Sequence, residues 1–182
     1  MKIEDFYKQL LKMNYNLMFN RNNFNIYESN QKVFLISGVL NLNKNKLIKH
    51  LTDSKSIVEK HRSILNINDF SKNLRYIKTE LFSEYIDYPI LDRLEEWYLY
   101  NNSKKSFIYC LLKEVPIEIK DKQILEFVEY IEHGCFLIVL EDINLESTRM
   151  DIFAVDLKLN PILIPAMMKN YVSLIVELDN ID

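Results

Sequence analysis

The sequence predicts a single domain of α/β or α+β class, in which helices pack on a mixed sheet of about five or six strands. Two short apolar runs, Phe107–Leu112 and Cys135–Leu140, are rich in aromatic and branched side chains, as expected for strands buried on both faces. Between them, apolar residues recur at helical spacing over Asp121–His133. These observations predict a strand–helix–strand unit at the centre of the fold.

The elements before this unit are predicted to be mostly helical. An amphipathic helix is expected over 3–18, followed by a hairpin that pairs Asn25–Ser29 with Lys32–Leu40, whose second strand contains the run Val33–Ile36. Apolar spacing then predicts three more helices, over 46–65 with a polar gap at Thr52–Ser56, over 69–85, and over 90–100.

After the central unit, the polar segment Glu141–Arg149 is expected to turn the strand Cys135–Glu141 into an outer strand over Met150–Lys158. Gly134 stands where the predicted central helix should stop, a position that favours a residue with positive φ. A last strand is expected over Tyr171–Leu178. The loop Asn101–Lys105 divides a helix-rich part, 1–100, from a strand-rich part, 106–182, but short loops and shared apolar faces favour one domain over 1–182.

Composition indicates a folded protein of the cytoplasm. Hydrophobic residues make up 48% of the 182 positions, which is ample material for a core. The sequence shows no apolar stretch close to the ~20 residues of a spanning helix, and acidic residues occupy the start of the chain where a signal peptide is apolar. Cys110 and Cys135 both fall in predicted buried strands, as expected for reduced thiols. No membrane association is predicted.

The chain has only two glycines, Gly38 and Gly134. Glycine allows positive φ and lets the backbone come close to phosphate groups. The sequence therefore contains no Walker-type loop, no dinucleotide-binding G-x-G-x-x-G and no G-x-S-x-G nucleophile motif. The three histidines and two cysteines are too few and too scattered to predict a metal site, and no cofactor is expected.

Charge is distributed unevenly along the chain. Residues 1–78 carry 14 Lys and Arg against 6 Asp and Glu, whereas residues 79–182 carry 9 against 20. Together with the absence of catalytic motifs, this asymmetry favours a non-catalytic interaction protein of inhibitor, immunity or adaptor type, with a basic protein as its partner. The predicted contact surface is acidic and consists of Glu126, Glu129, Glu132, Glu141, Asp142 and Glu146.

Two alternatives remain open at this level. In the first, Asp142, Asp156 and Lys158 resemble the D…[DE]-x-K pattern of metal-dependent nucleases, in which the acids bind Mg²⁺ and the lysine stabilises developing charge. In the second, basic side chains of the first half bind nucleic-acid phosphates. These side chains are Lys44, Lys46, Lys49, Lys55, Lys60, Arg62, Lys72, Arg75 and Lys78.

Overall fold

Ten strands form one sheet in the computed structural model, which describes residues 2–81 and 90–179. The strands are β1 (Tyr15–Arg21), β2 (Phe24–Ser29), β3 (Val33–Leu40), β4 (Ile64–Asp69), β5 (Leu74–Glu80), β6 (Ile90–Asn101), β7 (Lys105–Lys113), β8 (Val128–Tyr130), β9 (Cys135–Asn144) and β10 (Ser147–Val155). The helices are α1 (Ile3–Leu11), α2 (Lys44–Leu51), α3 (Ser54–Lys60), α4 (Ile117–Asp121) and α5 (Ile164–Leu178), the last preceded by a 3₁₀ turn at Pro161–Leu163.

The sheet is antiparallel along the order β1-β2-β3-β10-β9-β7-β6-β5-β4. Short β8 alone pairs in parallel, with the start of β6. This single-domain α+β fold confirms the predicted class in its coarse form, but the sheet is larger than the five or six strands expected. Because β3 pairs with β10, the first and last strands of the chain contribute to one continuous sheet.

The two apolar runs singled out in the sequence are neighbours in the middle of this sheet. β7 and β9 pair antiparallel, with Cys110 opposite Phe136. Both cysteines are buried and free, as expected. Burial on both faces follows from the helices that cover them: α1 lies against one face and α5 against the other, and successive residues of each strand point alternately toward the two.

α5 covers the face that bounds the candidate site. Its buried side chains recur at helical spacing: Met167, Met168, Val172, Ile175 and Leu178. Asn160 accepts a hydrogen bond from the Ile162 N–H and so caps the preceding 3₁₀ turn. By length and composition the segment Pro161–Leu178 would also suit a membrane span, with mean hydropathy 1.3. A core helix meets the same criterion, and here α5 packs on the sheet.

Gly134 stands at the start of β9 and has φ +93°. A Cβ at this position would lie 2.2 Å from the Val155 carbonyl oxygen, so a larger residue would meet both backbone strain and a steric clash. The positive φ was expected, but its context differs from the prediction, because no helix ends here. The glycine instead allows the β9 entry to pass close to the end of β10.

Four predicted elements are wrong. The segments expected as helices over 69–85 and 90–100 form β5 and β6 in their described parts, and 82–89 lies outside the described residues. The predicted central helix over Asp121–His133 is replaced by a loop and β8, after the single turn of α4. The predicted strand over Tyr171–Leu178 is the second half of α5. Tertiary packing overrides local preference in β5, β6 and α5. The segment after α4 differs, because its apolar side chains Ile124, Leu125 and Phe127 are exposed.

The first part of the chain follows its prediction more closely. β2 and β3 form the expected hairpin. The predicted helix over 46–65 splits at its polar gap into α2 and α3, which are capped by Asn43 and Asp53, each accepting backbone N–H bonds through its side chain. The N-terminal helix stops at Leu11, and β1 occupies the rest of the segment.

Two leucine substitutions distinguish the observed fold from the predicted central helix. Leu137 is fully buried between the sheet and α1, so Leu137→Ala should lower the free energy of unfolding by about 2–5 kcal/mol. Leu125, a core residue of the predicted helix, is 96% exposed, so Leu125→Ala should change it by less than about 0.5 kcal/mol. Urea denaturation measures both, and a comparable loss for Leu125→Ala would contradict this structure.

Candidate functional site

A cleft lies between α5 and the face of the sheet that α5 covers, and it is closed at one side by α3 and β4. Its volume is about 120 Å³, which is smaller than the roughly 300–1,000 Å³ of typical small-molecule sites, so a larger ligand would have to widen it. The walls are mostly apolar and come from the strands, α2, α3 and α5: Leu51, Ile57, Ile64, Ile77, Ile108, Cys110, Phe136, Ile138, Met150, Ile152, Leu174, Ile175 and Leu178.

Three charged side chains on β5 and β6 face into this apolar cleft. Glu95 accepts a hydrogen bond from Arg75 Nε at 2.8 Å through one carboxylate oxygen, and from Arg93 Nε at 3.0 Å through the other. Glu95 is 2% exposed and Arg75 is 6% exposed. We call these three residues the arginine–glutamate cluster. The pleat of the sheet positions them, because Arg75 and Glu95 are register partners and Arg93 lies two residues from Glu95 on the same face.

Aromatic residues surround Arg93. Its Nη1 donates to the Tyr171 hydroxyl at 3.2 Å, and its guanidinium lies 5.6 Å from the centre of the Phe136 ring and 5.9 Å from that of Tyr171. The two rings meet edge to face, with centroids 5.6 Å apart. Such contacts hold a cation in an apolar setting. A side chain from α5 therefore fixes a charged group of the sheet inside the cleft.

Burial and charge act in opposite directions on the cluster. Burial raises the pKa of Glu95, but the charges of Arg75 and Arg93 and their hydrogen bonds outweigh it and hold the pKa below the usual value. Burial lowers the pKa of Arg93, yet Tyr171 and Glu95 hold it above its ordinary value. Burial also raises the pKa values of Tyr171 and Cys110. At neutral pH the cluster therefore has two positive charges and one negative charge.

A buried histidine pair adjoins the same cleft. His50 on α2 and His61 at the end of α3 lie with their Nε2 atoms 2.9 Å apart, and His61 lines the cleft. The Nδ1 atom of His61 lies 3.4 Å from a carboxylate oxygen of Glu177 on α5. Burial, together with the charge of the other ring in the case of His50, lowers the pKa of each histidine to about 4. One Nε2 must donate and the other accept, so the two rings cannot both be protonated, and the lowered pKa values leave both neutral at pH 7.

The three residues of the nuclease alternative are not brought together. Asp142 pairs with Thr148 near the hairpin end of β10, whereas Asp156 follows the last residue of that strand. The eight residues from Thr148 to Asp156 span about 27 Å at the rise of a strand. Asp142 instead forms an ion pair with Lys44 at 3.3 Å. Within 2–81 and 90–179, no group of three or more His, Cys, Asp or Glu side chains is arranged to hold a metal ion.

The six residues of the predicted acidic surface fall into two groups. Glu126, Glu129 and Glu132 lie in or next to β8, beside the start of β6. The others, Glu141, Asp142 and Glu146, lie at the β9–β10 hairpin, beside the start of β7, which pairs with the far end of β6. Most are already paired with lysine: Glu126 with Lys78, Glu132 with Lys120, Glu141 with Lys105, and Asp142 with Lys44.

Three residues of the predicted basic cluster are used in contacts within the protein. Arg75 is buried in the cleft, and Lys44 and Lys78 form ion pairs with acidic residues of the second half. The charge asymmetry along the chain thus contributes in part to contacts between its halves.

The sequence analysis did not identify Glu95, Arg93 or Tyr171 as site residues. Arg75 was included only as a phosphate contact. One signal was present in the sequence. In a strand, alternate residues share a face, so Leu91, Arg93, Glu95 and Trp97 would lie on one face and Asp92, Leu94 and Glu96 on the other. This strand pattern is visible only if charged residues are accepted on the inner face.

The histidine pair predicts a loss of stability in mild acid. The unfolded chain has ordinary histidine pKa values near 6.5, whereas the folded values are about 4, so unfolding takes up protons between these limits. The protein should therefore keep its full free energy of unfolding above about pH 6.5 and lose roughly 3 kcal/mol for each of the two rings as the pH falls toward 4. Chemical denaturation at a series of pH values measures it.

The double variant His50→Gln/His61→Gln should flatten the dependence in this pH range. His133→Gln, at an exposed position, serves as the matched control and should leave the slope unchanged. Equal stability of the unmodified protein at pH 7 and pH 5 would contradict the proposed burial of two neutral rings.

No protein-family model matches the sequence, and no curated protein matches it. Solved structures do. Human StAR-related lipid transfer protein 5 superposes with TM-score 0.69 at 8% identity, over 97% of this chain and 91% of that protein. The lipid transfer and protein localization domain of human StarD13 superposes with TM-score 0.62 at 9% identity, over 96% of this chain and 92% of that domain. A StAR-related lipid transfer protein fragment from Xanthomonas axonopodis superposes with TM-score 0.59 at 9% identity, over 84% of this chain and 88% of that fragment.

These likenesses establish the fold: the chain adopts the architecture of the StAR-related lipid transfer structures. The predicted interaction protein with a basic protein partner is wrong on these findings, and so are the nuclease and nucleic-acid alternatives. Proteins of this architecture among the matches are named for lipid transfer.

Proposed function

We propose that this protein binds a lipid-like amphipathic molecule in the cleft between the sheet and α5. The observation that carries the proposal is an apolar cavity with a small buried polar cluster on one wall. Such a site removes the hydrocarbon part of a ligand from water and offers hydrogen bonds to its polar end. The names of the structural neighbours support the same class of ligand.

The residues divide into two roles. Aliphatic side chains of the strands and of α5, such as Ile108, Ile138 and Leu174, would contact the hydrocarbon part. Arg93, Tyr171 and Glu95 would bind the polar part, because they are the polar groups that already meet in the cleft. Residues that must accept or donate hydrogen bonds in an apolar setting discriminate strongly between ligands with and without a matching group.

α5 is proposed to be the element that admits the ligand. It covers the cleft and supplies Tyr171, Leu174 and Leu178 to its wall, whereas the opposite wall belongs to the hydrogen-bonded sheet. A helix held by side-chain packing separates from its neighbours at lower cost than a central strand does. We also propose that residues 1–182 act as one domain and that the protein works in the cytoplasm.

Filling the cleft tests the proposal. Leu174→Trp places a larger side chain in the wall and should weaken binding of a neutral apolar dye, such as N-phenyl-1-naphthylamine, by at least about tenfold, since the ligand and the indole compete for one space. Fluorescence titration measures the dissociation constant, and circular dichroism checks that the variant is folded.

Leu125→Trp provides the matched control, because the same residue change is made at a side chain that is almost fully exposed outside the cleft. It should leave dye binding unchanged. Mass spectrometry of an organic extract from the purified protein gives an independent readout. Equal dye binding by both variants, with no amphiphile in the extract, would refute binding in this cleft.

A further inference from the structure

The arginine–glutamate cluster has one positive charge more than it has negative charge. Arg75 and Arg93 are both cationic, and Glu95 is the acidic side chain that contacts them. His61, which lines the same cleft, is neutral at pH 7 because burial lowers its pKa to about 4. Tyr171 also stays uncharged, since burial raises its pKa. The balance among the groups that line the cleft is therefore +1.

The two arginines are not equally compensated. Arg75 donates from Nε to Glu95 and from Nη1 to the Leu51 carbonyl at 3.1 Å, at the C-terminal end of α2, where the helix dipole is negative. Arg75 also lies 5.8 Å from the centre of the Trp97 ring. Among the described residues, Arg93 shares Glu95 and also contacts the neutral Tyr171 hydroxyl and the Phe136 and Tyr171 rings, with no helix end beside it. The excess charge is thus located at Arg93.

Arg93 also has donors to offer. Its hydrogen bonds among the described residues use Nε and Nη1, which leaves Nη2, and the side chain retains 15% exposure on the cleft. The Tyr171 hydroxyl accepts from Arg93 and keeps its own proton for a ligand. A guanidinium and a neighbouring hydroxyl together match the oxygens of a carboxylate or a phosphate.

We infer that the cleft selects an amphiphile with an anionic head group, a carboxylate or a phosphate ester, which pairs with Arg93 and Tyr171. The inference rests on the proposed function and adds the charge of the ligand. An uncompensated charge in a low-dielectric site is costly. An anion that neutralises the charge therefore gains binding free energy from the ion pair, which a neutral alcohol does not. A cationic amphiphile would meet repulsion instead.

Displacement of neutral N-phenyl-1-naphthylamine at neutral pH tests the inference. Oleate and oleyl phosphate, the two sources of negative charge, should compete at concentrations at least about tenfold lower than oleyl alcohol, and oleylamine should compete worst. The relative affinity of oleate and oleyl phosphate shows which anion the site prefers. Binding of the alcohol or the amine as tight as that of both anions overturns the inference, while the proposed function stands.

Variants locate the effect at Arg93. Arg93→Gln should abolish the preference, so that the anions and the alcohol compete at about the same concentration. Arg93→Lys should retain most of the preference, because lysine keeps the positive charge. Arg149→Gln makes the same change on the opposite face of β10, at a side chain that is 56% exposed, and should keep the preference intact. A preference that survives in a folded Arg93→Gln protein overturns the assignment.

If Arg93→Gln does not fold, the comparison of oleate with oleylamine in the unmodified protein decides, since these two ligands share a chain and differ in charge. Failure of the proposed function has a different outcome: neither the dye nor any of the four amphiphiles binds.

Discussion

The structure depends on accommodating three charged side chains, Arg75, Arg93 and Glu95, in the interior of a sheet. Removing a charge from water costs several kcal/mol unless partners replace the solvent. Here the pairing of β5 with β6 places the Glu95 carboxylate between the two guanidinium groups. The aromatic rings of Phe136 and Tyr171 also contact the guanidinium of Arg93. The cluster therefore requires both the register of these strands and the docking of α5.

The two faces of the sheet are covered in different ways. α1 packs on one face of the central strands through apolar side chains that include Phe6, Tyr7 and Leu10. α5 packs on the other face but leaves a cleft around the charged groups. The face under α1 thus carries an apolar cluster, and the face under α5 has a cleft beside buried charged groups.

Prediction from the sequence succeeded where apolar residues form unbroken runs. Phe107–Leu112 and Cys135–Leu140 were placed correctly as neighbouring buried strands, and the β2–β3 hairpin and the split helix at Thr52 were also recovered. It failed where charge is buried. On β6 the inner face contains Arg93 and Glu95 between Leu91 and Trp97, so the apolar residues left visible have a spacing close to that of a helix.

Two other failures have different causes. β-branched residues in Tyr171–Val176 favour a strand, but a helix over Ile164–Leu178 buries one continuous apolar stripe on the sheet. In the segment around Leu125, a helical repeat of apolar residues was taken for a core face, yet Ile124, Leu125 and Phe127 are exposed. The candidate site could not be predicted, since its residues come from β5, β6, β9 and α5 and meet only through tertiary contacts.

The pairing of β3 with β10 has a consequence for how the chain reaches its folded state. Val33 is the register partner of Val155, so one edge of the β2–β3 hairpin stays open until nearly the whole of the remaining sheet has been synthesised. Closing so long a loop is entropically expensive, and folds rich in distant pairings reach the native state slowly. Until β10 is in place, β3 therefore presents an unpaired strand edge, a feature that favours aggregation of partly folded chains.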